Sequence, residues 1–167
     1  MICVLDTETT GLPSAQWARV VEIGAVVVDE SGDEVGNYHS LIKPDIFDER
    51  ADRALAYCGL TREDFTFAPF TEMVREEFLD WCAAFDVTEV WAYNRVFDEA
   101  MLLRSGVVLP WAGCIMRQAR LKMPPRPKDP PLAEAVRFFL GEEMAGQHRA
   151  LNDASAAARV LAALSRF

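Results

Sequence analysis

The first apolar run of the chain, in "MICVLDTETTGL", ends in two carboxylates, Asp6 and Glu8. Residues two apart on an extended chain share a face, so these acids point the same way if extension continues past Leu5. Like charges so placed raise each other's pKa unless something neutralises them. An oxygen-loving divalent cation does that well. Thr7 would point to the opposite face. Thr9, Thr10 and Gly11 can turn the backbone sharply and leave amide N–H groups beside the acids, where a hydroxyl or a phosphate could meet them. A pair of acids at a strand end also serves simply to cap a turn, so the pair alone carries little weight.

Two further settings hold groups of the same kind. In "EVWAYNRVFDEAML" an apolar run leads through Asn94 into a helical pattern. Asp98 lies one turn into it and shares a side with Asn94 and Leu102. Glu99 points about 100° away, toward solvent. An Asp in a first turn also simply complements the helix dipole. In "QHRALNDASAAARV" His148 precedes the last helical pattern and Asp153 sits in its first turns. Their spacing corresponds to ~7.5 Å of helical rise, enough for them to address different atoms of one centre, Asp153 a metal and His148 a water. A lone His before a helix is more often a solvated loop residue. The other histidine, His39, falls mid-strand and reads as structural.

The elements that must position these groups follow from periodicity. Residues 2–5 form a short apolar strand. Residues 20–28, "VVEIGAVVV", form a second, rich in β-branched types, and "DESGDE" turns the chain into a third over 34–42. That hairpin makes the sheet partly antiparallel. A short helix over 48–58 is closed by Gly59. Helix follows from Thr71, a candidate N-cap, to about Phe85. "EVWAY" is the fourth strand, 96–105 a helix ended by Gly106, and 111–116 a short fifth strand. "MRQARLKMPPRPKDPP" is the most basic stretch and is rich in proline. Helices are expected over 131–140 and 151–164. A hairpin followed by helices gives an α/β sandwich around a mixed sheet, as one domain over 1–167.

Bulk composition narrows the function. The chain has 167 residues, a formal net charge of −9 and a pI near 4.7. That excludes a broadly basic nucleic-acid surface, though not a nucleic-acid enzyme whose acids gather on metal ions. No run approaches a membrane span. "MICVL" is too short for a secretory core. Cys3, Cys58, Cys82 and Cys114 show no C-x-x-C spacing, and read as reduced thiols of a cytoplasmic protein.

Taken together the three settings resemble the DEDDh (DnaQ-like) exonuclease family, which includes proofreading 3′–5′ exonuclease subunits, ribonuclease T and the oligoribonucleases. The first motif, D-x-E-T-T-G, is intact from Asp6 to Gly11. The second is Tyr93-Asn94-Arg95-Val96-Phe97-Asp98, with Tyr93 where many members have His. The third, H-x-x-x-x-D, is met by His148 and Asp153. "VVEIGAVVVD", "HSLIKP" and "YCGLTRED" also fit, so the likeness runs nearly end to end.

The resemblance implies a ribonuclease H-like fold with a mixed five-stranded sheet, strands 1–3 antiparallel, flanked by helices. It implies a 3′–5′ exonuclease that releases nucleoside 5′-monophosphates from single-stranded DNA or RNA. Two divalent ions, Mg²⁺ or Mn²⁺, ~3.5–4 Å apart would clamp the attacking and leaving oxygens. Asp6, Glu8 and Asp153 would hold one ion. Asp6, with Asp98 directly or through water, would hold the other. Zinc lacks its usual His/Cys ligand set in this pattern. An imidazole titrates near pH 6.5, which suits His148 to taking a proton from water. Thr9, Thr10, Gly11, Leu12, Asn94 and Phe97 would hold the terminal nucleotide. Arg120, Lys122, Arg126 and Lys128 would meet phosphates. Expected partners are single-stranded 3′ ends, with a DNA polymerase subunit or a second copy of the chain as further candidates, and Trp17 as an exposed contact. The alternative is a non-catalytic nucleic-acid-binding or polymerase-associated adaptor of the same fold.

Overall fold

The computed structural model describes residues 1–164. Its sheet has five strands in the order β3-β2-β1-β4-β5, where β1 is Ile2–Thr9, β2 Val20–Val28, β3 Glu34–Leu41, β4 Glu89–Ala92 and β5 Trp111–Cys114. The pairs β1–β2 and β2–β3 are antiparallel. The pairs β1–β4 and β4–β5 are parallel. The helices are α1 Glu49–Tyr57, α2 Thr71–Ala84, α3 Arg95–Arg104, α4 Ile115–Lys122, α5 Leu132–Leu140 and α6 Ala150–Leu164. The expected mixed sheet, with its first three strands antiparallel, is present.

Alternation along β1 sorts its side chains between two layers. Cys3 and Leu5 join Phe78, Met101 and Leu102 beneath α2 and α3. Val4 faces the other way, with Val26, Val136, Ala157 and Val160 beneath α4, α5 and α6. β2 is buried at every position because both its faces are covered. α6 turns a row of alanines, Ala154, Ala157 and Ala158, toward the sheet as buried positions, so its backbone can come close to the strands. The closest approach is at Gly24. A Cβ there would lie 2.1 Å from the Leu151 nitrogen and 2.2 Å from the Ala150 carbonyl carbon.

Three local expectations are corrected. β5 ends at Cys114, and α4 begins at once with Ile115. The stretch "MRQARLK" is therefore helical, with Ile115 and Ala119 as the helix's buried face, and the proline-rich turn starts only after Met123. The residue capping α2 is Phe70, with no side-chain cap bond, and Thr71 is the first helical residue. Trp17 is half-buried, seated against Gly11, with the Arg50 guanidinium 4.4 Å from its ring centroid. The cysteines are free thiols, as expected, and all four are buried. Among the described residues no helix is long and apolar enough to cross a membrane.

Candidate active site

β1 is longer than its parallel neighbour. β4 pairs only with Ile2 to Leu5, so Asp6 to Thr9 run on beyond the end of β4. This overhang is where the acids collect. Asp6 and Glu8 point to the α6 face, like Val4. Thr7 points to the opposite face and meets α3. Its backbone N–H and its Oγ1 both donate to Asp98 Oδ1, at 3.1 and 2.8 Å. The middle residue of D-x-E thus tethers the acid of the second motif. Asp98 is 2% exposed, a degree of burial unusual for a surface cap.

The third motif closes the cavity. The loop before α6 places His148 with a φ of +63°, the left-handed region. Its backbone N–H donates to Asp153 Oδ2 at 3.3 Å. One ligating atom each from Glu8, His148 and Asp153 lie within 4.8 Å of one another. A cavity of about 440 Å³ is lined by Asp6, Glu8, Thr9, Asn94, Phe97, Asp98, His148 and Asp153, with Thr7, Tyr93 and Leu132. Asp6 and Asp98 line this cavity without belonging to the tight three-residue group.

The electrostatics are those of crowded acids, only partly offset by Arg149 beside Glu8. Burial pushes the Asp6 carboxyl well above its ordinary value, and Asp98, Asp153 and Glu8 push it further. Burial lifts Asp98 to about 7 against the opposing Thr7 bonds. It lifts Asp153 to about 6, against the His148 N–H bond. Glu8 is raised too, chiefly by burial. Asp153 Oδ1 is buried with no hydrogen-bond partner. A buried carboxylate oxygen without a donor is what a cation ligand looks like before its cation is counted. Glu8, His148 and Asp153 together offer two carboxylates and an imidazole, a donor set that could hold a metal ion.

Several substrate expectations fall elsewhere. Thr10 is buried and its Oγ1 accepts from the Arg19 N–H at 2.8 Å. Gly11 lies under Trp17, and Leu12 is 65% exposed and outside the cavity lining. The four basic residues expected to meet phosphates, Arg120, Lys122, Arg126 and Lys128, lie outside the cavity lining. Arg120 pairs with Asp129 at 2.6 Å, and Arg126 donates two hydrogen bonds to Glu134 at 2.5 and 2.7 Å. Lys122 and Lys128 are exposed. A wider cleft of about 630 Å³, lined in part by Arg19, Lys43, Arg75 and Arg104, opens elsewhere.

Besides Leu132, which lines the cavity, three residues outside the three motifs meet or neighbour its groups. The Cys58 thiol donates to Glu8 Oε2 at 3.0 Å. Burial and Glu8 push that thiol up, so it stays protonated and able to donate. The Tyr57 ring packs on the His148 imidazole, centroids 4.2 Å apart. Both stand at the end of α1, and only the likeness of "YCGLTRED" to a family segment points there. Glu22, opposite Glu8 in the sheet, is the third.

A family model for exonucleases of the RNase T type matches residues 3–106, more than half of the chain. The chain belongs to this exonuclease family. The match spans the first two motifs of the exonuclease and ends before His148 and Asp153, which the fold brings to them. Among solved structures, the nuclease domain of 3′hExo, a DEDDh family member bound to rAMP, is 18% identical, with a TM-score of 0.79 over 99% of this chain and 91% of that one. Cell-death related nuclease 4 is 16% identical, with a TM-score of 0.76 over 99% of this chain and 63% of its own. E. coli Exonuclease I in complex with a dT13 oligonucleotide is 17% identical, with a TM-score of 0.72 over 96% of this chain and 40% of its own. At these identities they establish the DEDDh exonuclease fold. The chain spans about two fifths of E. coli Exonuclease I. No curated protein matches.

Proposed function

We propose that the chain is a divalent-metal-dependent 3′–5′ exonuclease that shortens single-stranded DNA or RNA and releases nucleoside 5′-monophosphates. The observation that carries this reading is the meeting of Asp6, Glu8, Asp98, His148 and Asp153, from β1, α3, the loop before α6 and α6 itself, around one cavity. Family membership supports it, as do a relative bound to rAMP and another in complex with a dT13 oligonucleotide.

Asp6, Glu8, Asp98 and Asp153 would hold two ions, Mg²⁺ or Mn²⁺. When bound, such ions neutralise the phosphodiester and stabilise both the attacking and leaving oxygens. The residues of the chain do the rest. Thr7 fixes Asp98 through one oxygen, and Cys58 fixes Glu8 through one oxygen, so each carboxylate presents a set orientation. Phe97 and Leu12 offer apolar surface to the terminal nucleoside, and Asn94 and the amides near Thr9 offer donors and acceptors to its sugar. Exposed bases of a single strand can be splayed against such surfaces. His148 takes the proton of the attacking water. The water oxygen bonds to phosphorus as the bond from phosphorus to the 3′-oxygen of the penultimate nucleotide breaks; that oxygen takes a proton from solvent, and the terminal nucleotide leaves with its 5′-phosphate.

The test uses single-stranded DNA and RNA labelled at the 5′ end, with Mg²⁺ or Mn²⁺. A ladder shortened from the 3′ end is expected. Binding without shortening at high enzyme concentration would favour the adaptor. His148→Ala is expected to cut kcat by roughly 10²–10⁴ while leaving calorimetric Mn²⁺ binding nearly intact. Loss of Mn²⁺ binding equal to that of Asp6→Asn would make His148 a ligand and overturn its role as base.

A further inference from the structure

Glu22 is fully buried, at 0% exposure, yet the reaction outlined above does not use it. It sits in β2 directly opposite Glu8 in the antiparallel register. Its carboxylate is held from two sides. His39 of β3 places Nε2 at 2.6 Å from Oε1. Arg149 donates from Nε to both oxygens, at 3.1 and 3.3 Å, and its Nη2 lies 3.1 Å from Oε1.

Arg149 is the residue after His148. A non-glycine residue in the left-handed region is costly and persists only where its surroundings hold it. At His148 they do so on both sides of the bend. Upstream, the His148 N–H is taken by Asp153. Downstream, the Arg149 side chain is taken by Glu22, and the Arg149 carbonyl accepts from the Asp153 N–H at 3.0 Å. Two residues further along β2, on the same face, Gly24 admits the backbone of Ala150 and Leu151 into contact with the strand. The segment Glu22-Ile23-Gly24 is thus a seat for the start of α6: Glu22 takes a side chain and Gly24 takes the main chain.

We propose that Glu22 is a positioning residue, which holds Arg149 and through it the left-handed bend that aims the His148 imidazole into the active site. The proposal rests on the exonuclease reading given above. Removing Glu22's charge releases Arg149 and lets the bend relax, while the acids of β1 and α3 stay where the sheet and Thr7 put them. The loss should therefore fall on the chemical step and spare substrate binding.

The test is a double-mutant cycle on the full chain, with a 5′-labelled single-stranded oligonucleotide and Mn²⁺. Glu22→Gln keeps the shape and removes the charge. Arg149→Ala breaks the same contact from the exposed side and serves if Glu22→Gln is too unstable to assay. Each is expected to lower kcat by roughly 10- to 100-fold, the usual effect of an outer partner, with KM for the oligonucleotide little changed. Arg149→Lys, which keeps a cation there, should recover part of the loss. In a His148→Ala background, Glu22→Gln should lower kcat no further, because the group it positions is gone. Fully additive losses, or a rise in KM with kcat intact, would show that Glu22 serves only the fold and would overturn the proposal. A His148→Ala variant as active as the wild type would overturn the role of His148 itself, an outcome read from a different arm of the cycle.

Discussion

Tyr57 lies against His148, with ring centroids 4.2 Å apart and planes inclined at 45°. Tyr57 is the last residue of α1 and is 69% exposed. The ring of Tyr57 covers one side of an imidazole that lines the acidic cavity. The interaction is ring to ring, which makes a clear prediction. Tyr57→Phe should leave kcat/KM unchanged. Tyr57→Ala should reduce it by roughly 2- to 10-fold, the worth of one aromatic pair. Steady-state cleavage of a labelled oligonucleotide decides it, and a large loss in Tyr57→Phe would assign the work to the hydroxyl.

The raised carboxyls dictate how stability follows pH when no metal is present. Asp98 titrates at about 7 and Asp153 at about 6 in the folded chain, against about 4 when unfolded. Between these values the native state binds more protons than the unfolded state, so its stability falls as pH rises from about 4 to 7. Exposed acids held low by arginines, such as Asp48 at about 2, act below that window. In EDTA, Tm is expected to fall by roughly 5 °C or more between about pH 5 and pH 8. Mn²⁺ should restore most of it at the upper end of that range. A Tm that rises with pH in EDTA would contradict the crowding of these acids.

Asp6→Asn and Asp98→Asn should separate stability from activity. Each removes one charge from a group of buried acids, and the amide introduced at position 98 would still accept both Thr7 bonds through its carbonyl oxygen. Tm in EDTA at about pH 8 is expected to hold or rise, while cleavage falls to background. Thermal melts and a cleavage assay on the same preparations test this. A large drop in Tm for Asp98→Asn would mean that its charge, beyond its hydrogen bonds, supports the fold.

The basic, proline-rich stretch divides into two kinds of residue. Arg126 is bound to Glu134 of α5 and to the Lys128 carbonyl, while Lys122 and Lys128 are exposed. Arg126→Ala is therefore expected to lower Tm by a few degrees with KM unchanged. Lys122→Ala with Lys128→Ala should leave Tm unchanged and reduce the salt dependence of KM, each lost phosphate contact lowering the slope by about 0.7 for a single strand. An unchanged slope would place the strand's path elsewhere, with the cleft lined by Lys43, Arg75 and Arg104 as the next place to look.

Periodicity carries the strands and most helices because each is read from its own residues. β2 is the clearest case: "VVEIGAVVV" is buried at every position, as its composition demands. The face shared by Asp6 and Glu8 follows from alternation alone. What sequence does not show is what distant residues do to one another. Asp98 has the look of an ordinary first-turn acid until Thr7, from a strand far away in the chain, is seen to hold it. Glu134 reaches back to Arg126 across the turn into α5, and no local rule announces it. α4 is hidden because its eight residues adjoin a run of prolines that dominates any reading of the region. Glu22 reads only as part of a strand, although a fixed charge in the middle of an otherwise apolar run is itself a signal that something buried must meet it.

The close seating of α6 on Gly24 bears on the order in which the molecule is built. Asp6 and Glu8 come from the first strand, whereas His148 and Asp153 come from the last helix and the loop before it, so the cavity exists only once these two distant parts of the sequence have met. Contacts of such long sequence separation form late and slowly. A chain still emerging during synthesis has its first acids in place before it has His148 and Asp153. It therefore passes most of its assembly as an inert precursor. The same geometry ties completion of the cavity to the docking of a single helix on β2.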